Sequence, residues 1–76
     1  MKISIEYCTQ WNYEPRAASL AAAIKSKTGF ATDLIKGKGG IFDVIADGKM
    51  IFSKHEMGRF PEEEEVLRKL ENIRIW

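Results

Sequence analysis

The chain has 76 residues, of which 45% are hydrophobic and 30% are charged, a balance typical of a folded globular domain and not of a disordered chain. Twelve Lys and Arg against eleven Asp and Glu leave a formal net charge of +1, which argues against a nucleic-acid binder driven by a basic surface. We expect one domain over residues 1–76, because ordinary domains run to about 100–200 residues.

The sequence also predicts the compartment. Its longest apolar run, residues 17–24, is interrupted by Ser19 and is too short to span a bilayer. The first six residues carry charged and polar side chains where a signal peptide has its apolar stretch. The single cysteine, Cys8, can form no internal disulfide and cannot supply a four-ligand zinc site. We therefore expect a cytoplasmic domain with no metal and no membrane contact.

Hydrophobic periodicity predicts the first three elements. Apolar and polar side chains alternate over residues 2–7, which indicates a strand with one wet face. Pro15 and Gly29 bound an alanine-rich helix over residues 14–28, because proline suits a first helical turn and glycine suits a helix end. Alternation resumes over residues 30–36. A strand–helix–strand unit predicts two parallel strands with a right-handed crossover.

The second half predicts a hairpin and a closing helix. Strands over residues 41–46 and 49–53 flank the dipeptide Asp47-Gly48, which favours a tight hairpin. Residues 55–60 are predicted as a loop. Pro61 opens a helix over residues 61–73, with four glutamates at 62–65 near the positive end of the helix dipole.

These elements predict a two-layer α/β fold with a four-stranded sheet. Each helix has one apolar stripe, so both helices are expected on the same face of the sheet. The other face then stays partly open and can carry Ile41 and Ile45. That open face is a candidate contact surface for a protein partner.

Cys8 is the first candidate for chemistry, because it lies at the carboxyl end of the first strand and just before a helix. A thiol near a helix N-terminus meets unpaired N–H groups and the positive end of the dipole, which favour the thiolate. The alternative is that Cys8 is a small, buried and inert hydrophobic residue. Spacing alone leaves both interpretations open.

Residues 7–13 (YCTQWNY), followed by Arg16-Ala17, resemble the active-site segment of the selenoprotein W family, also called Rdx. Further motifs are similar to those of the family and follow in the same order along nearly the whole chain; they lie at residues 40–44, 47–48, 51–54 and 58–61. The resemblance implies a thioredoxin-like fold with sheet order 2-1-3-4. It also implies a thiol or selenol oxidoreductase linked to glutathione, with Cys8 as the nucleophile and no resident cofactor.

Trp11 falls at the family's second redox position and carries neither sulfur nor selenium. The resemblance therefore implies a one-thiol route, in which the Cys8 thiolate forms a mixed disulfide that an external thiol such as glutathione releases. Either the lineage lost the second redox group, or the position is selenocysteine, whose UGA codon differs by one base from the tryptophan codon UGG. If the redox group is lost, a non-catalytic protein-interaction domain is the alternative function.

The side chain of Trp11 is itself open to two interpretations. It can pack over the neighbouring helix, or it can act as a lid over Cys8 or as a contact for a partner. The resemblance places Thr9 and Gln10 beside the nucleophile as candidate substrate contacts. Loops of thioredoxin-like folds often face the reactive cysteine, so Arg59 can hold a glutathione carboxylate; the alternative is a plain surface arginine. The expected partners are glutathione or a protein disulfide.

Overall fold

The computed structural model describes residues 1–74, with side chains as far as residue 73. Within that range the elements are β1 (Ile3–Cys8), α1 (Glu14–Thr28), β2 (Thr32–Gly37), β3 (Phe42–Ala46), β4 (Lys49–Ser53), α2 (Lys54–Met57) and α3 (Glu63–Arg74). The four predicted strands and both predicted helices are confirmed, with boundaries that differ by at most two residues.

The four strands form one mixed sheet in the order β2-β1-β3-β4, as predicted. β1 pairs with β2 in parallel, because α1 carries the chain back across the sheet between them. β1 pairs with β3, and β3 with β4, in antiparallel fashion. The paired register sets Cys8 at the same edge of the sheet as the loop between β2 and β3.

Local sequence signals account for the helix ends and the hairpin. Pro15 occupies the first turn of α1, where its missing N–H leaves no bond unmade. Gly29 ends the helix with φ 81° and donates its N–H to the Lys25 carbonyl at 2.9 Å. Asp47 and Gly48 have φ 50° and 81°, the left-handed pair that a two-residue hairpin turn requires.

One prediction about the loops was wrong. Residues 54–57 form the short helix α2, where the sequence led us to expect a loop from residue 55. The helix ends at Gly58, whose N–H donates to the Lys54 carbonyl at 2.7 Å. A single helical turn is too short for a hydrophobic period to appear in the sequence, so the pattern could not have revealed it.

Both long helices lie on one face of the sheet and enclose the core. The buried residues come from β1, β3, β4 and the inner stripes of α1 and α3: Ile3, Ile5, Tyr7, Ala17, Leu20, Ile24, Phe42, Val44, Ala46, Ile51, Phe52, Val66 and Leu70. In the part of the chain that the structure describes, no helix combines the length and the apolar character needed to cross a membrane.

The opposite side of the sheet is what we call the open face. Side chains on neighbouring strands share a face when their residues are paired in register, and successive residues alternate between faces. Ser4 and Glu6 alternate with the buried residues of β1, and their partners extend the same surface across the sheet. The open face is therefore defined by Ser4, Glu6, Asp33, Ile35, Asp43, Ile45, Met50 and Ser53, and it ends at Cys8 and Gly37.

Candidate functional site

Cys8 is the last residue of β1 and is fixed by its backbone on two sides. Its N–H donates to the Ile41 carbonyl at 2.8 Å, and its carbonyl accepts from the Tyr13 N–H at 3.2 Å. The side chain is completely buried, with 0% of its surface exposed. By strand alternation it belongs to the same side of the sheet as Glu6, opposite Tyr7. The sulfur is therefore held in a defined position and shielded from solvent.

Backbone N–H groups surround the sulfur and favour its anionic form. Burial raises the pKa of the Cys8 thiol, but the N–H groups of Gly40, Trp11, Gln10 and Gly39 together lower it by more. The thiol pKa consequently lies below its ordinary value of 9.0. A thiolate held by several peptide N–H groups is a typical starting point for thiol–disulfide exchange.

These N–H donors differ from those that the sequence led us to expect. We expected the start of the first helix to stabilise the thiolate, but α1 begins only at Glu14, after a turn over residues 9–12. The donors with the largest effect lie in that turn and in the loop between β2 and β3. The physical reason is the pairing of β1 with β3, which brings the start of β3 directly beside Cys8.

Gly39 and Gly40 are the site residues that sequence reasoning missed, because a glycine-rich stretch between two predicted strands indicates only a turn. Both glycines have positive φ, 73° and 77°, so their N–H groups point in directions that other residues rarely allow. Successive N–H groups in such a conformation form a concave anion-binding arrangement. A double glycine just before a strand that pairs with the cysteine's strand was the signal that could have found them.

Trp11 packs against the backbone of Gly40 and not over the helix. A Cβ built on Gly40 would lie 2.5 Å from Cζ3 of the indole and 3.0 Å from Cε3, so the ring rests where a side chain would be. The ring also meets Tyr13 edge-on, with centroids 6.1 Å apart. Its outer surface is open, and 59% of the residue is exposed. The indole therefore joins the two loops that enclose the sulfur.

An aromatic cluster supports the turn that carries Trp11. Tyr13 meets Phe60 at a centroid distance of 4.7 Å and Phe42 at 6.4 Å, both edge-on. The Arg16 guanidinium stacks 4.1 Å above the Phe60 ring, and the Lys54 ammonium lies 5.3 Å from it. Edge-on aromatic pairs and cation–π contacts each add about 0.5–1.5 kcal/mol to packing. The cluster anchors the inner end of the turn, while its outer end stays solvent-exposed.

The structure brings Thr9 and Gln10 to the site but does not bring Arg59 into the set of groups around the sulfur. Thr9 donates its N–H to the Gly37 carbonyl at 3.3 Å, and Gln10 supplies one of the N–H groups that lower the thiol pKa. Both side chains are exposed. Their role as substrate contacts stays a prediction.

Arg59 is engaged elsewhere. Its guanidinium forms a two-pronged ion pair with Glu65, at 2.9 and 2.8 Å, and also donates to the Phe60 carbonyl at 3.1 Å. The ion pair is the main reason that the pKa of Glu65 falls from 4.5 to about 2. Holding a glutathione carboxylate would require Arg59 to give up Glu65, so that role stays a prediction. Over residues 1–74, no group of three or more His, Cys, Asp or Glu is arranged to hold a metal ion.

Comparisons with known proteins agree with this geometry. The model of the Rdx family matches residues 2–72. A selenoprotein W-related protein from Vibrio cholerae superposes with a TM-score of 0.91 at 25% identity, covering 95% of this chain and 94% of that one. A protein from Bordetella parapertussis superposes with a TM-score of 0.89 at 30% identity, covering 93% and 94% of the two chains.

Two curated relatives are also similar to this chain. Migration and invasion enhancer 1 from Bos taurus is 32% identical over 68 residues, and the protein of the same name from Mus musculus is 33% identical over 66 residues. These matches cover 88% and 86% of this chain but only 59% and 57% of the two relatives. The thioredoxin-like sheet, the buried cysteine at the end of its first strand and the family match together show that this chain belongs to the Rdx family.

Proposed function

We propose that this protein is a thiol-based redox protein of the selenoprotein W type, in which Cys8 forms a mixed disulfide that an external thiol such as glutathione resolves. One observation carries the proposal: four backbone N–H groups act on the Cys8 sulfur and lower its pKa. An inert core cysteine sits among apolar groups, where burial raises the thiol pKa. The donor set around Cys8 is suited to an anion.

The reaction is a pair of thiol–disulfide exchanges. The Cys8 thiolate attacks one sulfur of a disulfide, a new sulfur–sulfur bond forms, and the other sulfur leaves as a thiolate. A glutathione thiolate then attacks the mixed disulfide at the substrate's sulfur and releases Cys8 as a thiolate. The disulfide bond is thereby transferred to the glutathione–substrate pair, and Cys8 returns to its starting state without a second cysteine in the chain.

Access to the sulfur is part of the mechanism. Because Cys8 is 0% exposed, a disulfide can reach it only when the turn at residues 9–12 and the loop at residues 38–40 separate. The contact between Trp11 and Gly40 holds these two loops together. The N–H groups thus set the reactivity of the thiolate, whereas the indole contact limits how often it is reached.

The test follows modification of the single cysteine by mass spectrometry. Folded protein is incubated with oxidised glutathione, and separately with iodoacetamide, over a range of pH; the urea-unfolded chain is the control. We expect a glutathionyl adduct that reduced glutathione removes, and an alkylation midpoint below that of the unfolded control. A midpoint equal to or above that of the unfolded chain would contradict the proposal, and so would a folded protein that never takes up glutathione.

Reading the codon at position 11 decides between the two explanations of Trp11. A UGA codon would mean that the active protein carries selenocysteine there, so that Cys8 and a selenol form an internal pair. A UGG codon leaves the one-thiol route. We also propose a cytoplasmic location, since a reducing compartment supplies the external thiol that the one-thiol route needs.

A second candidate function is a non-catalytic protein-interaction domain. It is favoured by Trp11, which replaces the second redox group and is 59% exposed, because exposed tryptophans are enriched at the energetic centres of interfaces. The relatives named migration and invasion enhancer 1 are named for a cellular effect and not for a chemical step. If this function is correct, a Cys8→Ser variant keeps the protein's cellular effect and a Trp11→Ala variant loses it. If the redox function is correct, the Cys8→Ser variant loses that effect.

A further inference from the structure

The open face differs from the rest of the molecule in charge. Of the paired strand residues that form it, Glu6, Asp33 and Asp43 are acidic and none is basic, although the chain as a whole has a formal charge of +1. Apolar side chains flank these carboxylates: Ile35 is 45% exposed and Met50 is 50% exposed. The open face therefore combines exposed hydrophobic surface with local negative charge.

Glu6 and Asp43 face each other directly across β1 and β3. Like charges at directly opposed positions of an antiparallel pair are destabilising. In addition, Oδ1 of Asp43 is shielded from solvent and accepts no hydrogen bond from any residue of the described chain. A shielded carboxylate oxygen without a donor carries a desolvation penalty, which adds to the repulsion between the two carboxylates. Among the described residues, no Lys or Arg forms an ion pair with Glu6 or Asp43, so the centre of the open face carries negative charge that the described chain does not neutralise.

We propose that the open face binds a basic amphipathic helix of a partner protein. Its Lys or Arg side chains would pair with Glu6 and Asp43, while its apolar side chains would pack on Ile35, Ile45 and Met50. A helix of about 14 residues is about 21 Å long, which is enough to cross four strands spaced about 4.8 Å apart. The assembly would place helices on both sides of the sheet, a common three-layer arrangement.

Charge distinguishes this partner from other occupants. A second copy of this chain, docked symmetrically, would press one Glu6–Asp43 pair against another, and like charges across an interface oppose association. Nucleic acids and anionic lipid surfaces carry the same sign as the open face and are repelled. The proposal does not depend on the chemistry of Cys8, so its failure would leave the redox proposal standing.

The probe is a synthetic helical peptide with Leu on one side and Lys on the other, and the same peptide with Glu in place of Lys is its control. Binding to the ¹⁵N-labelled full chain is followed by amide chemical shifts and by calorimetry. We expect the Lys peptide to bind and to shift amides of the open face, and the Glu peptide not to bind. Largest shifts on α1 and α3, or equal binding of both peptides, would overturn the proposal.

Charge variants identify which carboxylates matter. The double variant Glu6→Gln/Asp43→Asn removes the opposed pair while preserving shape, and its folding is checked by circular dichroism. The control Glu64→Gln/Glu71→Gln makes the same change in net charge at exposed positions of α3. We expect the first pair to weaken peptide binding about tenfold or more and the second to change it by less than about twofold. Equal effects would mean that only net charge attracts the peptide, which would contradict the proposal.

Apolar variants of β2 provide a second matched pair. Ile35 and Leu34 are adjacent and similarly exposed, at 45% and 40%, but alternate to opposite faces of the sheet. Ile35→Ser should weaken binding of the Lys peptide several-fold, whereas Leu34→Ser should not. The reverse order would place the peptide on the helix side and refute the proposal. The proposal would also be refuted if sedimentation showed that the chain forms a dimer and that Glu6→Lys dissociates it. Binding of the chain to phosphatidylserine vesicles would refute it as well.

Discussion

The loop beside Cys8 has two roles: its N–H groups lower the thiol pKa, and its contact with Trp11 closes the site. Replacing Gly40 with alanine separates these roles, and Gly39→Ala is the matched control. Both glycines have left-handed φ, 77° and 73°, so either substitution costs about 1–2 kcal/mol of backbone strain. A Cβ on Gly39 meets nothing within 4 Å, whereas a Cβ on Gly40 falls 2.5 Å from the Trp11 ring. Because the outer side of Trp11 is open to solvent, the ring can move outward, and only Gly40→Ala should displace it.

The size of the effect follows from the buried part of the indole. With 59% of Trp11 exposed, about two-fifths of a side chain that can bury up to about 250 Å² is covered, roughly 100 Å². At about 25 cal/mol per Å² this amounts to roughly 2.5 kcal/mol. Tyr13 shares the contact, so we assign about half to Gly40. Lowering the free energy that favours the closed site by about 1.2 kcal/mol should raise the population of the open site about five- to tenfold.

The assay is iodoacetamide alkylation of Cys8 as a function of pH, which gives two independent quantities. The pH at the midpoint of the alkylation rate reports the thiol pKa, and the plateau of that rate at high pH reports how often the reagent reaches the sulfur. Because both variants carry the same backbone strain, we expect the plateau of Gly40→Ala to lie about five- to tenfold above that of Gly39→Ala. Equal plateaus in the two variants would refute the inference that the indole closes the site.

Three further predictions concern other features of the structure. Trp11→Cys should allow an internal disulfide with Cys8, because the turn brings the N–H of residue 11 near the sulfur. The disulfide would be seen as the loss of two free thiols on mild oxidation. The control Asn12→Cys, one residue along, should keep both thiols, and the opposite result would contradict the geometry. The pKa of the Glu65 carboxyl is lowered to about 2, so the stability that this group contributes is present above pH 4.5 and is lost as the pH falls towards 2. Arg59→Ala should raise the Glu65 pKa in an NMR titration and make stability depend less on pH in this range. An unchanged Glu65 pKa would refute the role of the ion pair. Leu70→Ala should lower the free energy of unfolding in urea by about 2–5 kcal/mol, since Leu70 is 0% exposed. The control Leu67→Ala, at a half-buried position, should lower it by less. Equal losses would show that the buried face of α3 is wrongly assigned.

Most of the fold could be predicted from the sequence because its signals are local. Alternation over residues 2–7 and the Asp47-Gly48 turn each report contacts between near neighbours, and both were confirmed. The strand–helix–strand unit predicted that the first two strands are parallel, whereas the full strand order was implied by the resemblance to the selenoprotein W family. The short helix α2 escaped prediction because a single turn carries no period.

The candidate site was less accessible to sequence reasoning. The sequence identified Cys8 and Trp11, but it assigned the stabilising N–H groups to the first helix and left open whether Trp11 covers a helix or the cysteine. Both answers depend on which loop lies beside Cys8. That is decided by the pairing of β1 with β3, an interaction between segments far apart in the chain.

The amino-acid order by itself determined the strands, the two long helices, the position of the single thiol and the lack of a second one. Only the tertiary structure decided that the backbone of Gly39 and Gly40 lowers the thiol pKa, that the indole rests on Gly40, and that three carboxylates share the open face. The physical reason is that periodicity records which face a residue belongs to. The groups that a side chain meets there are set by the register between strands, and that register is fixed only when the core packs.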